Sequence, residues 1–163
     1  MKVMSEKEQE FTRLVREYKT TIYTVCYFYA RDKEEAEDYF QEVLINLWRG
    51  LDGFSGKSSL RTWIWRVSLN TCSNMERKRR RSPRTVPLSM DMDLYSDADA
   101  RSEQIRMLYD RISRLGIFDR AIILLWLDGM SYREMADIVG ISLPAVTTRL
   151  YRIKEQLKSM SNQ

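Results

Sequence analysis

The residues whose types and spacing could do chemistry are those of a recognition surface. Near the C-terminus, Ser131-Tyr132-Arg133-Glu134 has the form of a capping box, in which Ser131 caps a helix and Glu134 reaches back. That helix carries Met135, Ala136, Ile138 and Val139 and stops at Gly140, a residue suited to a left-handed turn. Ser142 can cap a further helix with Pro144 in its first turn. Ala136, Gly140 and Val146 then fall at helix-turn-helix spacing: a small residue lets two helices approach, a glycine makes the turn, and a valine anchors the second helix. With Val146, Leu150, Ile153 and Leu157 inward, Pro144, Ala145, Thr148, Tyr151 and Arg152 face outward, flanked by Thr147, Arg149 and Lys154. Such a face is built to lie in a DNA groove. A plain αα-hairpin is the simpler alternative.

Other clusters point the same way with less specificity. Arg77-Lys78-Arg79-Arg80-Arg81 is a natural partner for a polyanion. Upstream, Leu60, Ile64, Val67 and Thr71 form one stripe of a helix with Trp63 at its edge. Trp65 is then expected to point outward beside Thr62, Arg66, Leu69 and Ser73, where a ring next to cations could stack on a base. The competing expectation is that Trp65 packs internally. The loop from Asp52 to Ser59 lacks the G-x-x-x-x-G-K-[ST] spacing, so it is no nucleotide-phosphate loop.

Catalysis is poorly served. The chain has no histidine, which removes Ser-His-Asp and Cys-His mechanisms and His-ligated metal sites. No carboxylate or metal cluster converges, so neither enzymatic activity nor a cofactor is expected. Cys26 and Cys72 each fall within a helical pattern and are expected as buried free thiols, in keeping with a reducing cytoplasm. No apolar run approaches a membrane span, and the first residues lack a signal peptide's apolar stretch; a cytoplasmic protein without membrane insertion is expected.

The elements that must position these residues are helices. With 6 Gly and 3 Pro in 163 residues, turns are too few for an all-β fold. Phe11, Leu14, Val15, Tyr18, Ile22, Val25, Cys26 and Tyr29 predict a first amphipathic helix. A second, from about Lys33, has Ala36, Phe40, Val43, Leu44, Leu47, Trp48 and Leu51 as its apolar stripe, and presents Glu35, Asp38, Glu42, Ile45 and Arg49 opposite. That acidic face is either solvated or a docking surface. Ile105, Leu108, Ile112 and Leu115 predict a helix, and Ala121 to Leu127 a largely buried one. The net charge of +4 hides segregation: residues 51–84 carry 9 basic and 2 acidic side chains, whereas residues 85–100 carry 4 acidic and none basic. The fold expected is all-α: two small helical domains, 1–81 and 101–163, joined by a flexible acidic linker, 82–100, with Pro83 and Pro87.

The chain resembles the extracytoplasmic-function (group 4) sigma factors of the sigma-70 family. Ala36-Glu37-Asp38-Tyr39-Phe40-Gln41-Glu42-Val43 through Leu47-Trp48 is similar to family region 2.2, and Ser58-Ser59-Leu60-Arg61-Thr62-Trp63-Ile64-Trp65-Arg66-Val67 through Asn70 to regions 2.3 and 2.4. Asp128-Gly129-Met130-Ser131-Tyr132-Arg133-Glu134-Met135-Ala136, Gly140-Ile141-Ser142, Val146 and Arg149-Leu150 are similar to region 4.2. The resemblance implies a promoter-recognition subunit of bacterial RNA polymerase, its N-terminal domain being region 2 and its C-terminal domain region 4. Asp38, Gln41, Glu42 and Ile45 would dock on the β′ clamp helices of core RNA polymerase, and region 4 would meet the β flap. Phe54, Ser55, Lys57, Ser58, Arg61, Trp65 and Arg66 would open the minus-10 element of promoter DNA and hold a flipped base. Ser142, Pro144, Ala145, Thr147, Thr148, Arg149, Tyr151 and Arg152 would read the minus-35 element. The acidic linker would run towards the RNA exit path, and an anti-sigma factor would hold the protein inactive. Thr147 and Thr148 stand where many members carry Lys or another polar residue, and Trp65 where Tyr or Phe is commoner. The alternative is a stand-alone helix-turn-helix regulator whose N-terminal bundle binds a ligand or dimerises; the Asp38/Glu42 face is what such a regulator does not need.

Overall fold

The computed structural model describes residues 3–80 and 100–161. Within them the fold is all-helical, with seven helices in two compact units. The acidic segment 82–99 and Arg81 lie outside the described residues.

The first unit is a three-helix bundle of α1 (Glu6–Tyr29), α2 (Lys33–Leu51) and α3 (Leu60–Arg80), each packed on the other two. Short polar side chains start each helix. Ser5 Oγ accepts from the Glu8 amide at 3.1 Å, Asp32 Oδ1 from Glu35 at 2.9 Å, and Ser59 Oγ from Thr62 at 3.1 Å. Leu14, Ile22, Val25, Ala36, Val43, Leu47 and Ile64 fill the core as their periodicity predicts. Tyr39 replaces the expected Phe40 among the fully buried positions of α2. Cys26 and Cys72 are both buried and free, and the Cys72 thiol donates to Cys26 Sγ at 3.7 Å, bringing α3 against α1.

Helix α3 corrects the expected register. Its inward residues are Thr62, Ile64, Trp65, Ser68, Leu69, Thr71, Cys72 and Glu76, so Trp65 is 3% exposed instead of outward, and Thr62 and Leu69 are buried with it. Trp65, Leu69, Cys72 and Glu76 are buried, as are the expected Ile64 and Thr71, whereas Leu60 and Val67 are only half-buried. Small Thr62, Ser68 and Thr71 let the helix come close.

The end of the same helix holds a second correction. Glu35, expected on the outward acidic face of α2, is half-buried in an ionic cluster. It pairs with Arg31 at 2.8 Å and with Arg79, which also reaches Glu76 at 3.2 Å; Tyr39 donates its hydroxyl to Glu35 at 3.1 Å. Arg79 is therefore turned inward out of the basic run. Burial pushes the Glu35 carboxyl up, but hydrogen bonds and charge from Arg31 and Arg79 outweigh it, and the net shift is downward. Burial, with the Glu35 charge, pushes the Tyr39 phenol up. Glu35→Gln is expected to destabilise the bundle by about 1.5–3 kcal/mol, the range for hydrogen bonds to charged groups. Because the folded carboxyl is depressed, the contribution is complete above the ordinary carboxylate range and disappears as pH falls through the folded value. Urea melts of both proteins between pH 7 and pH 3 check this: the gap narrows with acidification.

The second unit comprises α4 (Ala100–Ser113), α5 (Ile117–Leu127), α6 (Tyr132–Val139) and α7 (Leu143–Ser161), with α5, α6 and α7 packed mutually. Its core is Tyr109, Ile112, Leu115, Ile122, Leu125, Met135, Val146, Leu150 and Ile153. Leu108, expected inside, is 37% exposed, and its neighbour Tyr109 is 3% exposed in its place. The buried run of α5 ends at Leu125; Trp126 and Leu127 are exposed. Arg120 is buried and donates Nη2 to the carbonyls of Ser113 and Leu115 at 3.2 and 2.8 Å, satisfying the end of α4.

Candidate functional site

Burial of Ala36, Tyr39, Val43 and Leu47 fixes the register of α2 and leaves Asp38 and Gln41 exposed, Glu42 half-buried and Ile45 42% exposed. These four share one face at three- and four-residue spacing. Among the described residues neither Asp38 nor Glu42 enters an ion pair, in contrast to Glu35 one turn earlier. Two unpaired carboxylates around a protruding isoleucine form an apolar centre with an acidic rim, a pattern that suits a partner with complementary cations.

The α2–α3 loop is pinned at both ends. Lys7 pairs with Asp52 at 2.9 Å and lies 4.0 Å from the centre of the Trp48 ring. Phe54 packs on Trp63 with ring centres 5.0 Å apart. Gly50 lies close beneath Trp63: a Cβ there would stand 3.1 Å from Trp63 Cζ2, so the ring would have to give by a few tenths of an ångström. Gly56 turns the chain at a φ of 76°, leaving Ser55 and Lys57 exposed and Ser58 half-buried. Arg61 and Arg66 are half-buried on α3. Trp63, Arg66, Val67, Asn70 and Asn74 form the outward side of the helix, and Arg77 continues it, donating to Asn74 at 3.2 Å. The structure therefore brings Phe54, Ser55, Lys57, Ser58, Arg61 and Arg66 to one loop and one helix end, and removes Trp65 from that surface. Trp63, Asn70 and Asn74, none of them among the expected site residues, lie on the same side as Arg66. Their signal was present: once Trp65 is inward, helical spacing puts all three on the face of Arg66.

In the second unit the predicted cap is complete. Ser131 Oγ accepts from the Glu134 amide at 3.1 Å while Glu134 Oε1 accepts from the Ser131 amide at 3.0 Å. Gly140 ends α6 at a φ of 77°, and the Ala136 carbonyl accepts from both the Gly140 and Ile141 amides, at 2.8 and 3.1 Å. Ser142 Oγ accepts from Ala145 at 3.2 Å to start α7. With Val146, Leu150 and Ile153 buried, Ser142, Pro144, Thr147, Thr148, Tyr151 and Arg152 are exposed and Ala145 is half-buried; Tyr151 is 68% exposed. Arg149 departs from the rest. Its guanidinium pairs with Asp119 at 2.8 Å and stands 4.6 Å from the centre of the Phe118 ring.

Two family models match these units in order: sigma-70 region 2 over residues 14–82 and sigma-70 region 4 over residues 105–157. The chain belongs to the sigma-70 family. Its relatives place it among the extracytoplasmic-function sigma factors, a non-enzymatic group. The ECF RNA polymerase sigma factor SigG of Mycobacterium tuberculosis is 29% identical over 184 residues, covering 95% of this chain. This chain spans about half of that relative, 50% of its length. The ECF RNA polymerase sigma-E factor of Haemophilus influenzae is 27% identical over 172 residues, covering 97% of this chain and 90% of the relative. The sigma factor RpoE of Bartonella quintana, solved with the anti-sigma factor NepR, superposes with a TM-score of 0.77 at 20% identity over 94% of this chain and 98% of that one, a likeness of fold. The three-helix bundle is thus the sigma-70 region 2 unit and the helix-turn-helix unit its region 4. No helix among the described residues is long and apolar enough to cross a membrane.

Proposed function

We propose that this chain is a promoter-specificity subunit of RNA polymerase. Residues 1–81 bind core polymerase and the minus-10 element, and residues 101–163 bind the minus-35 element. The observation that carries the reading is the pair of carboxylates, Asp38 and Glu42, without an ion pair among the described residues, around exposed Ile45 in a chain that also has a complete helix-turn-helix. With Gln41 they form the surface for the β′ clamp helices. The exposed apolar residues Met107, Leu108, Trp126 and Leu127 offer region 4 a surface for the β flap.

At the minus-10 element, Lys57, Arg61 and Arg66 supply positive charge to the displaced strand. Phe54 with Ser55 and Ser58 borders the place for an extruded base. Unstacking that base costs a few kcal/mol, which contacts in the pocket must offset. Trp63 takes the stacking role first expected of Trp65, and the Asn70 amide can hydrogen-bond a base edge. At the minus-35 element, the outward face of α7 enters the major groove, with Ser142 and Pro144 at its start and Ala145, Thr147, Thr148 and Tyr151 against the base edges.

Arg152 is the base-reading cation of that face. Arg152→Ala is expected to cost about 1–3 kcal/mol at the preferred sequence and to relax one base position, because a bidentate contact to guanine is lost. A minus-35 library selected with wild-type and variant holoenzymes measures this, and identical preference profiles would remove the assignment. An anti-sigma factor that covers the Asp38/Ile45 surface, in the cytoplasm, completes the reading; the sigma factor solved with NepR supports it by fold.

The test of the reading is a DNA-binding comparison with and without core polymerase. The free chain should hold promoter duplex weakly, and the same duplex should be bound tightly once core polymerase is added. Tight operator binding by the free chain, with two-fold half-sites, would favour the stand-alone regulator.

A further inference from the structure

The reading helix α7 carries cations on both shoulders of its buried stripe, and both are occupied within the unit. Arg149 pairs with Asp119 at 2.8 Å above the Phe118 ring. Lys154, on the other shoulder, stands 4.0 Å from the centre of the Trp126 ring. All three partners come from α5, so one helix holds the flanking charge of the next. From Leu143 to Tyr151 the only charged side chain is Arg149, and Asp119 neutralises it.

We propose that Asp119 is an affinity-setting residue: it holds Arg149 away from the DNA backbone and so lowers binding to duplex of any sequence. The inference rests on the reading of α7 as the minus-35 helix. Its physical basis is counterion release, since each phosphate neutralised by a cation adds about 0.9 to the slope of log affinity against log salt. The Arg149 and Asp119 side chains are 44% and 30% exposed, so the ion pair is wet enough to exchange for a phosphate yet close enough to compete with one. Phe118 adds a second hold through its ring face. The consequence suits a dissociable subunit: α7 meets DNA with few backbone contacts, and stable binding then depends on the region 2 unit and on polymerase.

The test uses the full chain assembled with core polymerase, on duplex with the preferred minus-35 sequence and on the same duplex with that element scrambled, from 50 to 200 mM salt. Asp119→Asn should tighten binding to both, on the order of fivefold at 0.1 M salt, and steepen the salt slope by about 0.9. The base preferences of a minus-35 library should stay as in the wild type. In an Arg149→Ala background the same Asp119→Asn change should have no effect on affinity or slope, which a merely structural role for Asp119 would not produce. An unchanged or weakened affinity in Asp119→Asn overturns the proposal. So does a gain that persists undiminished in the Arg149→Ala background, because Asp119 would then repel phosphate directly. Promoter-directed transcription by the wild-type holoenzyme in the same preparation separates this failure from failure of the minus-35 reading.

Discussion

Reversing Asp38 and Glu42 together to Lys is expected to abolish association with core polymerase while leaving the region 2 bundle folded. Neither carboxylate is in an ion pair among the described residues, and their helix is held by Ala36, Tyr39, Val43 and Leu47 on its other side. Surface changes away from caps and buried pairs usually stay within about 0.5 kcal/mol of stability. At an interface the same change counts much more, because each Lys meets the partner's cations where a carboxylate should be, and juxtaposed like charges cost several kcal/mol. Size-exclusion co-elution with core polymerase, alongside a thermal melt, reads both quantities. Lost co-elution with an unchanged melt supports the docking face. Retained co-elution shows that this face is merely solvated.

The two tryptophans of α3 should separate stability from DNA opening. Trp65→Ala removes a large side chain that is 3% exposed and is expected to cost about 3–5 kcal/mol, enough to unfold a large fraction of so small a bundle at 37 °C. Trp63→Ala loses a half-buried ring and its packing on Phe54, about 0.5–1.5 kcal/mol beyond the area term. Its larger effect should fall on forked minus-10 DNA, where losing one stacked base costs about 1–3 kcal/mol. Chemical denaturation and fork binding by the holoenzyme measure the two sides. A Trp65→Ala protein that melts normally and fails only on DNA would restore Trp65 to the surface and contradict the register of α3.

What the sequence made legible was local. The capping box of Ser131 and Glu134 and the turn at Gly140 involve partners three or four residues apart, so their chemistry is readable without a fold. The outward placement of Asp38, Gln41 and Ile45 followed from the strong apolar period of α2. The facing of α3 was ambiguous because Trp and small polar residues occur on both sides, and two stripes one residue apart fit the helical period. Only the meeting of Cys72 with Cys26 and of Arg79 with Glu35, pairs 46 and 44 residues apart, decides between them. Leu108 and Tyr109 pose the same one-residue choice on α4. The capture of Arg149 by Asp119, 30 residues away, was likewise invisible, and Arg149 looked like any flanking cation of a recognition helix.

The most direct measurement of the central claim is run-off transcription from genomic fragments with purified core polymerase, with and without the full chain. The account predicts discrete transcripts that depend on the chain, whose start sites share a minus-10 and a minus-35 element. It also predicts that the Asp38/Glu42 double reversal removes all of them. Absence of any chain-dependent transcript, with the free chain instead holding a two-fold symmetric operator tightly, would contradict it.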